Sequence, residues 1–220
     1  RIHFSEIIDR AESGGARVVG ADPHVLASMG ETDHPQGLLA VCDLLTPPAL
    51  DDVFSVVAPI LILDRISDPG NLGTILRTAE AVGVAGVLLT PECADIHNGK
   101  VVRSTTGSLF RVPVVPDVPM SVIIEAVHSR GRALAVATGD GDEGLFEAVD
   151  SRMVCPRTCW VIGSEAHGVS KEACQAADIA VRIPMAPTAE SLNAAVSASV
   201  ILYVLAHGAR SGAFGPNGFR

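Results

Sequence analysis

The sequence predicts an α/β fold built on a largely parallel β-sheet. From residue 59 onward, short apolar runs rich in Val and Ile alternate with segments of helical pattern. Runs that are apolar throughout are typical of strands covered by helices on both faces. Strands that alternate regularly with helices favour a parallel sheet. We therefore expect one sheet with helices packed on both of its sides.

Six segments have the pattern of buried strands, and five of the segments between and after them have a helical pattern. The predicted strands are 59–64, 85–90, 111–115, 133–138, 159–163 and 179–184. The predicted helices are 71–82, 99–106, 119–129, 170–176 and 191–208.

The residues before this regular part predict a second, smaller unit. Two β-like runs, 16–21 and 37–43, are separated by a polar stretch and indicate part of a small α/β domain. The segment 46–52, with paired prolines followed by aspartates, predicts a linker that ends in a helix start. The expected domains are a partial N-terminal domain with its linker at 1–48, the main domain at 49–210 and a C-terminal tail at 211–220.

Composition and charge exclude several classes of protein. The 220 residues are 48% hydrophobic and 19% charged, which is a globular rather than a disordered composition. A net charge of −9 argues against a protein that coats nucleic acid by bulk electrostatics. The charge is uneven, because residues 1–57 hold three basic and nine acidic side chains whereas 58–220 hold thirteen and sixteen. The later part is nearly neutral, so it can carry a local basic patch.

Membrane, redox and metal functions are also disfavoured. The longest apolar stretch, 192–206, is interrupted by polar residues and is too short for a membrane span. Five cysteines in a chain of this size fit reduced thiols in a cytoplasm. Cys155 and Cys159 lack a second ligand pair, so no metal site is expected. The chain begins at Arg1 without a signal segment, and we expect residues upstream of it.

The turn after the first predicted strand, "DRISDPGNLG", is the first candidate site. Ligands of open parallel sheets bind outside the carboxyl ends of the strands. The glycines here lack the spacing of a dinucleotide or phosphate loop, so those functions are disfavoured. A plain tight turn capped by Asp68 explains the glycines but leaves Asn71 and Arg77 free. Arg77 by itself also fits a solvent-exposed helix face.

The turns after the fifth and sixth predicted strands are the other candidates. "GSEAHG" places Glu165 between Gly163 and Gly168, where a ligand can approach the backbone closely, although a helix-capping loop is equally consistent. "PMAPTAESLN" leads into a helix rich in small residues, with Ser191 as its expected N-cap and Asn193 beside it. Small residues at 194–199 predict close helix packing within the chain or across a dimer.

Together these segments resemble the three motifs of the SpoU-type, TrmH-like RNA 2′-O-ribose methyltransferases of the SPOUT superfamily. The matching segments are "DPGNLGTILRTAEAVG", "VIGSEAHGVS" and "IPMAPTAESLNAAVSAS", with "NGKVVRSTTGSLFRVPV" between the first two. The resemblance covers about 59–208. It implies a parallel sheet whose C-terminal segment forms a deep trefoil knot that binds S-adenosylmethionine. Residues 1–45 resemble the end of a small RNA-recognition domain that often precedes this fold, although their acidic charge departs from that role.

The resemblance also implies roles for individual residues. Those implied to be catalytic are Asn71, Arg77, Glu165, Ser191 and Asn193. Those implied to bind the methyl donor are Gly139, Gly163, Ile183, Met185 and Leu192. Because a guanidinium is a poor proton acceptor, we expect Arg77 to stabilise the developing alkoxide rather than to act as a base.

The predicted function is methyl transfer to a ribose 2′-hydroxyl of structured rRNA or tRNA. The enzyme is expected to be a cytoplasmic homodimer that needs no metal. The dimer is expected to form through the segments 191–208 and 71–82. RNA contacts are expected from Lys100, Arg103 and Arg111, which are three basic residues within a twelve-residue stretch; a solvated face is the alternative. The competing functions are an RNA-binding module of the same fold without turnover and a base methyltransferase of the same superfamily.

Overall fold

The computed structural model describes residues 4–30 and 36–210. Its contacts divide the chain into two compact units, Arg1–Asp43 and Leu44–Arg220. The tail predicted at 211–220 lies outside the described residues. No helix within the described ranges is long and apolar enough to cross a membrane.

The first unit contains helices and irregular segments in the part that the structure describes. It contains α1 (Ser5–Ser13) and α2 (Pro23–Met29), and α2 begins after Asp22, whose carboxylate accepts a hydrogen bond from the amide of His24. The prediction of strands at 16–21 and 37–43 is wrong for the described residues, which form no strand there. The physical reason is that Val19 and Val41 are largely exposed, so neither run has a partner strand or an apolar surface to cover it.

The second unit contains a parallel sheet of seven strands among the described residues, which confirms the predicted α/β class. The strands are β1 (Ile60–Asp64), β2 (Gly86–Leu89), β3 (Val114–Val115), β4 (Leu134–Ala137), β5 (Glu143–Gly144), β6 (Cys159–Gly163) and β7 (Ile179–Arg182). They lie in the order β3-β2-β1-β6-β4-β7-β5, and every pairing is parallel. Strand β1 pairs with β2 on one side and with β6 on the other. The chain therefore adds β2 and β3 on one side of β1, and all later strands lie on its other side.

Helices cover both faces of this sheet, as the apolar strand pattern predicts. They are α3 (Leu50–Ser55), α4 (Pro69–Val82), α5 (Gly99–Ser104), α6 (Met120–Ser129), α7 (Leu145–Asp150), α8 (Lys171–Ala176) and α9 (Ala194–Arg210). Alternate β1 residues point to opposite faces: Leu61 and Leu63 pack with α4, α7 and α9, whereas Ile60 and Ile62 pack with α3, α6 and α8.

The structure shifts or adds several elements relative to the sequence prediction. Strand β3 has only two residues of the predicted 111–115, because residues 108–112 close hydrogen-bonded turns instead. The short β5 and α7 were not predicted. Glu143 and Gly144 pair with β7 at the sheet edge, an arrangement that two residues without hydrophobic periodicity cannot reveal.

Candidate active site

A cavity opens at the carboxyl ends of β4, β6 and β7. It is lined by the ends of these strands, by the turn after β6 and by the irregular segment 183–193 that leads into α9. All five residues expected to bind a methyl donor line it, namely Gly139, Gly163, Ile183, Met185 and Leu192. Aliphatic side chains and exposed backbone form most of the wall, and Glu165, Glu190 and Ser191 add polar groups. Such a lining suits a small molecule with an apolar ring and a few polar groups.

Gly163 ends β6 at a point where no side chain fits. A Cβ atom on this residue would lie 2.1 Å from the carbonyl carbon of Gly168 and 2.2 Å from the amide nitrogen of Val169. The turn 164–168 folds back on itself through a hydrogen bond from the Gly168 amide to the Ser164 carbonyl oxygen at 2.8 Å. Close backbone approach therefore fixes this turn directly over the strand end.

Helix α4 carries Asn71 in its first turn. Asp68 is the N-cap, because its carboxylate accepts a hydrogen bond from the Asn71 amide at 2.7 Å, and Pro69 occupies the first helical position. The capping predicted from the sequence is confirmed. The helix ends at Gly83, which adopts a left-handed conformation with φ of 81°.

Asn71, Glu165 and Asn193 form a closed hydrogen-bonded cluster at the cavity. The Oε1 atom of Glu165 accepts a hydrogen bond from the Asn71 side chain at 2.6 Å and another from the Asn193 side chain at 3.0 Å. The Asn193 amide also donates to the Asn71 side-chain oxygen at 3.0 Å. One residue from each of the three candidate turns thus meets the other two.

Asn193 also begins helix α9. Its side-chain oxygen accepts from the amides of Ala195 at 2.9 Å and Val196 at 3.2 Å, while Glu165 accepts from the Ala194 amide at 3.0 Å. The prediction that Ser191 caps a helix starting at 191 is wrong, because the side chain of Asn193 satisfies the first amides. Ser191 lies on the cavity wall instead, without a side-chain hydrogen bond to the described residues.

Arg77 lies on the exposed side of α4, about one and two-thirds turns beyond Asn71. It makes no hydrogen bond or ion pair with any residue in the described ranges. Glu80, three residues further along α4, is bound by Arg111 and by the hydroxyl of Ser108 rather than by Arg77. These partners lower the pKa of Glu80, the Arg111 hydrogen bond most of all. The guanidinium of Arg77 is thus available to a substrate.

The three residues expected to contact RNA occupy α5 and the segment after it. Lys100 and Arg103 are exposed on α5, and Arg111 is exposed beyond the 3-10 helix Ser108–Phe110. Arg111 forms an ion pair with Glu80, which partly neutralises the positive charge of its guanidinium.

Asp64 is a site residue that sequence reasoning missed. It ends β1, is 2% exposed and accepts a hydrogen bond from the Ser170 amide at 2.6 Å, at the far end of the turn that carries Glu165. A charged residue that closes a fully apolar strand was the signal available in the sequence, because a buried carboxylate needs partners.

These features define a class of protein. A parallel sheet with a small-molecule cavity and a polar cluster at its carboxyl edge defines an α/β ligand-binding protein. Its binding site has the arrangement that α/β enzymes use.

Comparison with known proteins identifies the family. Residues 58–203 match the SpoU rRNA Methylase family. The chain is 35% identical, over 82% of its length and 64% of the relative's, to the 23S rRNA (uridine(2479)-2′-O)-methyltransferase of Streptomyces viridochromogenes. It is 32% identical, over 81% of its length and 68% of the relative's, to the 23S rRNA (guanosine(2553)-2′-O)-methyltransferase RlmP of Bacillus subtilis.

The fold agrees with a solved structure of the same group. The SpoU methyltransferase AviRb of Streptomyces viridochromogenes in complex with AdoMet superposes with a TM-score of 0.70 at 33% identity, covering 76% of this chain and 67% of that one. The chain belongs to the SpoU rRNA methylase family, as its motifs predict. It spans about two thirds of the length of the curated relatives it matches.

Proposed function

We propose that this protein transfers a methyl group from S-adenosylmethionine to a ribose 2′-hydroxyl of structured rRNA or tRNA. The observation that carries the proposal is the Asn71–Glu165–Asn193 cluster at the rim of the cavity. It places two amides and a carboxylate, all capable of orienting a hydroxyl, beside a pocket suited to a small molecule. The names of the Streptomyces and Bacillus relatives support the same reaction.

The cavity fits the methyl donor in its chemistry. Ile183, Met185 and Leu192 offer an apolar surface for an adenine ring, and the backbone at Gly139 and Gly163 offers hydrogen-bonding groups. The absence of a Cβ at Gly163 lets the backbone of Gly168 and Val169 lie directly against the strand end, which fixes the turn that forms one wall of the cavity. S-Adenosylmethionine supplies an activated methyl group on a sulfonium, which leaves as a neutral thioether.

The protein's own residues then align and stabilise the attacking hydroxyl. Asn71 orients the ribose, while Glu165 and Asn193 hold Asn71 and the start of α9 in place. Arg77 stabilises the negative charge that develops on the ribose oxygen, because a guanidinium with a pKa above about 12 stays charged throughout. Arg77 pairs with no carboxylate in the described part of the chain, which supports this role. An RNA phosphate accepts the proton.

We propose that the RNA lies across α4, α5 and the cavity mouth, with Lys100, Arg103 and Arg111 contacting phosphates. The exposure of all three supports this placement. An RNA-recognition role for residues 1–48 is part of the proposal; the described portion contains the helices α1 and α2 and irregular segments.

A homodimer through α9 and α4 is also proposed. The two helices lie side by side, joined by a 3.0 Å contact between the hydroxyls of Thr78 and Ser199. The small residues predicted to allow close packing, such as Ala195 and Ala198, are buried within the chain. Val196 and Tyr203 leave an apolar strip of α9 exposed, and this strip supports a second-copy interface.

Two further features belong to the proposal, the first from family resemblance and the second from the cysteines. We propose that the segment after β7 is threaded as a deep trefoil knot; its position on the cavity wall between β7 and α9 is consistent with this. A cytoplasmic location is proposed because all five cysteines are free thiols, and Cys159 is buried with its pKa raised to about 12 by desolvation.

The test is methylation of structured RNA by the purified chain with methyl-labelled donor, followed by nucleoside mass spectrometry. The expected product is a 2′-O-methylnucleoside. Asn71→Asp places a second carboxylate beside Glu165 and removes the hydrogen bond that the Asn71 side chain donates to it. We therefore expect about a tenfold or greater loss of the methylation rate. Gln175→Glu makes the same chemical change on the exposed surface of α8 and serves as the matched control. Label on a base, or RNA binding without turnover, would contradict the proposal.

A further inference from the structure

The carboxyl end of β1 carries an ion pair, with a buried carboxylate and a partly exposed guanidinium, that the proposed reaction does not use. Asp64, 2% exposed, accepts hydrogen bonds from the Ser170 amide at 2.6 Å and the Thr90 hydroxyl at 3.4 Å. Asp64 also has a charged neighbour, Arg65, whose Nε lies 3.3 Å from Asp64 Oδ1. A buried carboxylate is tolerated only with such partners.

Arg65 is held in an unusual backbone conformation. Its φ of 58° lies in the left-handed region, which is uncommon for residues other than glycine. The Arg65 amide donates to Thr90 Oγ1 at 3.0 Å, and the side chain, 30% exposed, reaches over the turn after β6 to donate from Nη2 to the Gly168 carbonyl oxygen at 3.4 Å. Strain of this kind persists where the surroundings fix it and is concentrated at functional sites.

Asp64 and Arg65 therefore hold the turn 164–170 at two points, Gly168 and Ser170. The hydrogen bond between Gly168 and Ser164 makes the turn a closed unit, so a constraint at Gly168 is passed to Glu165 within it. Gly163, Gly168 and neighbouring residues of the same turn also line the cavity. The ion pair thus acts on both the polar cluster and the donor pocket.

We propose that Asp64 and Arg65 are positioning residues that fix the turn 164–170 and thereby set donor affinity and the orientation of Glu165. The proposal rests on the proposed function for its catalytic consequence. Its structural consequence, a turn that opens when the pair is broken, holds independently of that function.

The experiment compares Arg65→Gly with Arg152→Gly. Both replace an exposed or half-exposed arginine of positive φ by glycine, at 58° and 61°, so the relief of backbone strain is matched. Arg152 follows α7 and does not line the cavity. The measurements are hydrogen exchange of amides 164–170 without ligand, binding of S-adenosylmethionine and S-adenosylhomocysteine by calorimetry, single-turnover methylation, and the thermal midpoint.

For Arg65→Gly we expect faster exchange confined to 164–170 and about tenfold weaker donor binding, the loss of one charge-assisted hydrogen bond. Arg152→Gly should exchange and bind as wild type, and the thermal midpoint of Arg65→Gly should lie below that of Arg152→Gly, because Asp64 loses its cationic neighbour. Arg65→Lys keeps the charge and the strain, but a single ammonium cannot lie beside Asp64 and donate to Gly168 at the same time, so it should also show fast exchange in the turn.

Three results would overturn the proposal. The first is equal exchange of amides 164–170 in Arg65→Gly and Arg152→Gly, and the second is wild-type exchange in Arg65→Lys. The third is unchanged exchange in Arg65→Gly together with a salt slope of RNA binding that is lower by about 0.7 to 0.9, which would mark Arg65 as a phosphate contact. A wild-type protein that binds no donor would refute the proposed function, while the exchange comparison would still decide the role of the pair.

Discussion

Gly163→Ala should separate donor binding from overall folding. The added Cβ would lie 2.1 Å from the carbonyl carbon of Gly168, whereas ordinary contacts begin near 3.4 Å. The turn 164–168 must therefore move away by about 1.3 Å. Overpacking of this kind costs about 1–3 kcal/mol. In a unit of this size it lowers the thermal midpoint by about 2–12 °C.

The same displacement moves Glu165 relative to Asn71 and Asn193. A misplacement of about 1 Å can lower a rate by two orders of magnitude, so we expect weaker donor binding and about a hundredfold slower single-turnover methylation. Gly20→Ala is the matched control, because a Cβ there meets nothing within 4 Å. Calorimetry, single-turnover assays and thermal denaturation measure the three effects. Donor affinity and methylation within twofold of wild type would refute this account of Gly163.

Four further predictions concern charge and assembly. Arg77→Ala should keep its donor affinity and slow single-turnover methylation at least about a hundredfold, with little rescue by Arg77→Lys; near-normal turnover would end the proposed role. Arg111 lowers the pKa of Glu80 below 4.5, so their pairing stabilises the fold above that pH and is lost as pH falls through the lowered pKa. Thermal midpoints of wild type and Arg111→Ala should therefore differ at pH 7 and converge in strong acid; a constant difference would exclude the ion pair as the cause. Replacing Lys100, Arg103 and Arg111 by alanine should weaken RNA binding and lower its salt slope by about 0.7 to 0.9 for each lost phosphate contact; an unchanged slope would mean that the RNA lies elsewhere. Light scattering at micromolar concentration should give a dimer mass, and a monomer mass would remove the α9 interface.

Local sequence determined much of the second unit by itself. The apolar runs at 59–64 and 159–163 could only be buried strands, since nothing polar interrupts them before their ends. The start of α4 was equally local, because Asp68 and Pro69 satisfy the first turn of a helix without help from distant residues. The motif segments also identified which turns to compare, and the family match confirms that identification.

The N-terminal runs show where local pattern fails. Residues 16–21 have strand-like composition, but a strand requires a partner and a surface to cover, and neither is encoded in six residues. The same reason explains why β5 was missed: its two residues pair only because β7 lies next to them.

Only the tertiary structure decided how the site is assembled. Asn71 and Glu165 are 94 residues apart, and Asn71 and Asn193 are 122 apart, yet all three side chains share hydrogen bonds. That meeting depends on β1 and β6 being neighbours in the sheet, which no local pattern specifies. The commitment of Glu80 to Arg111 rather than to Arg77, and the start of α9 at Ala194 rather than at 191, follow from contacts between distant segments. Side-chain partners are chosen by distance in space, and that distance exists only once the sheet order is fixed.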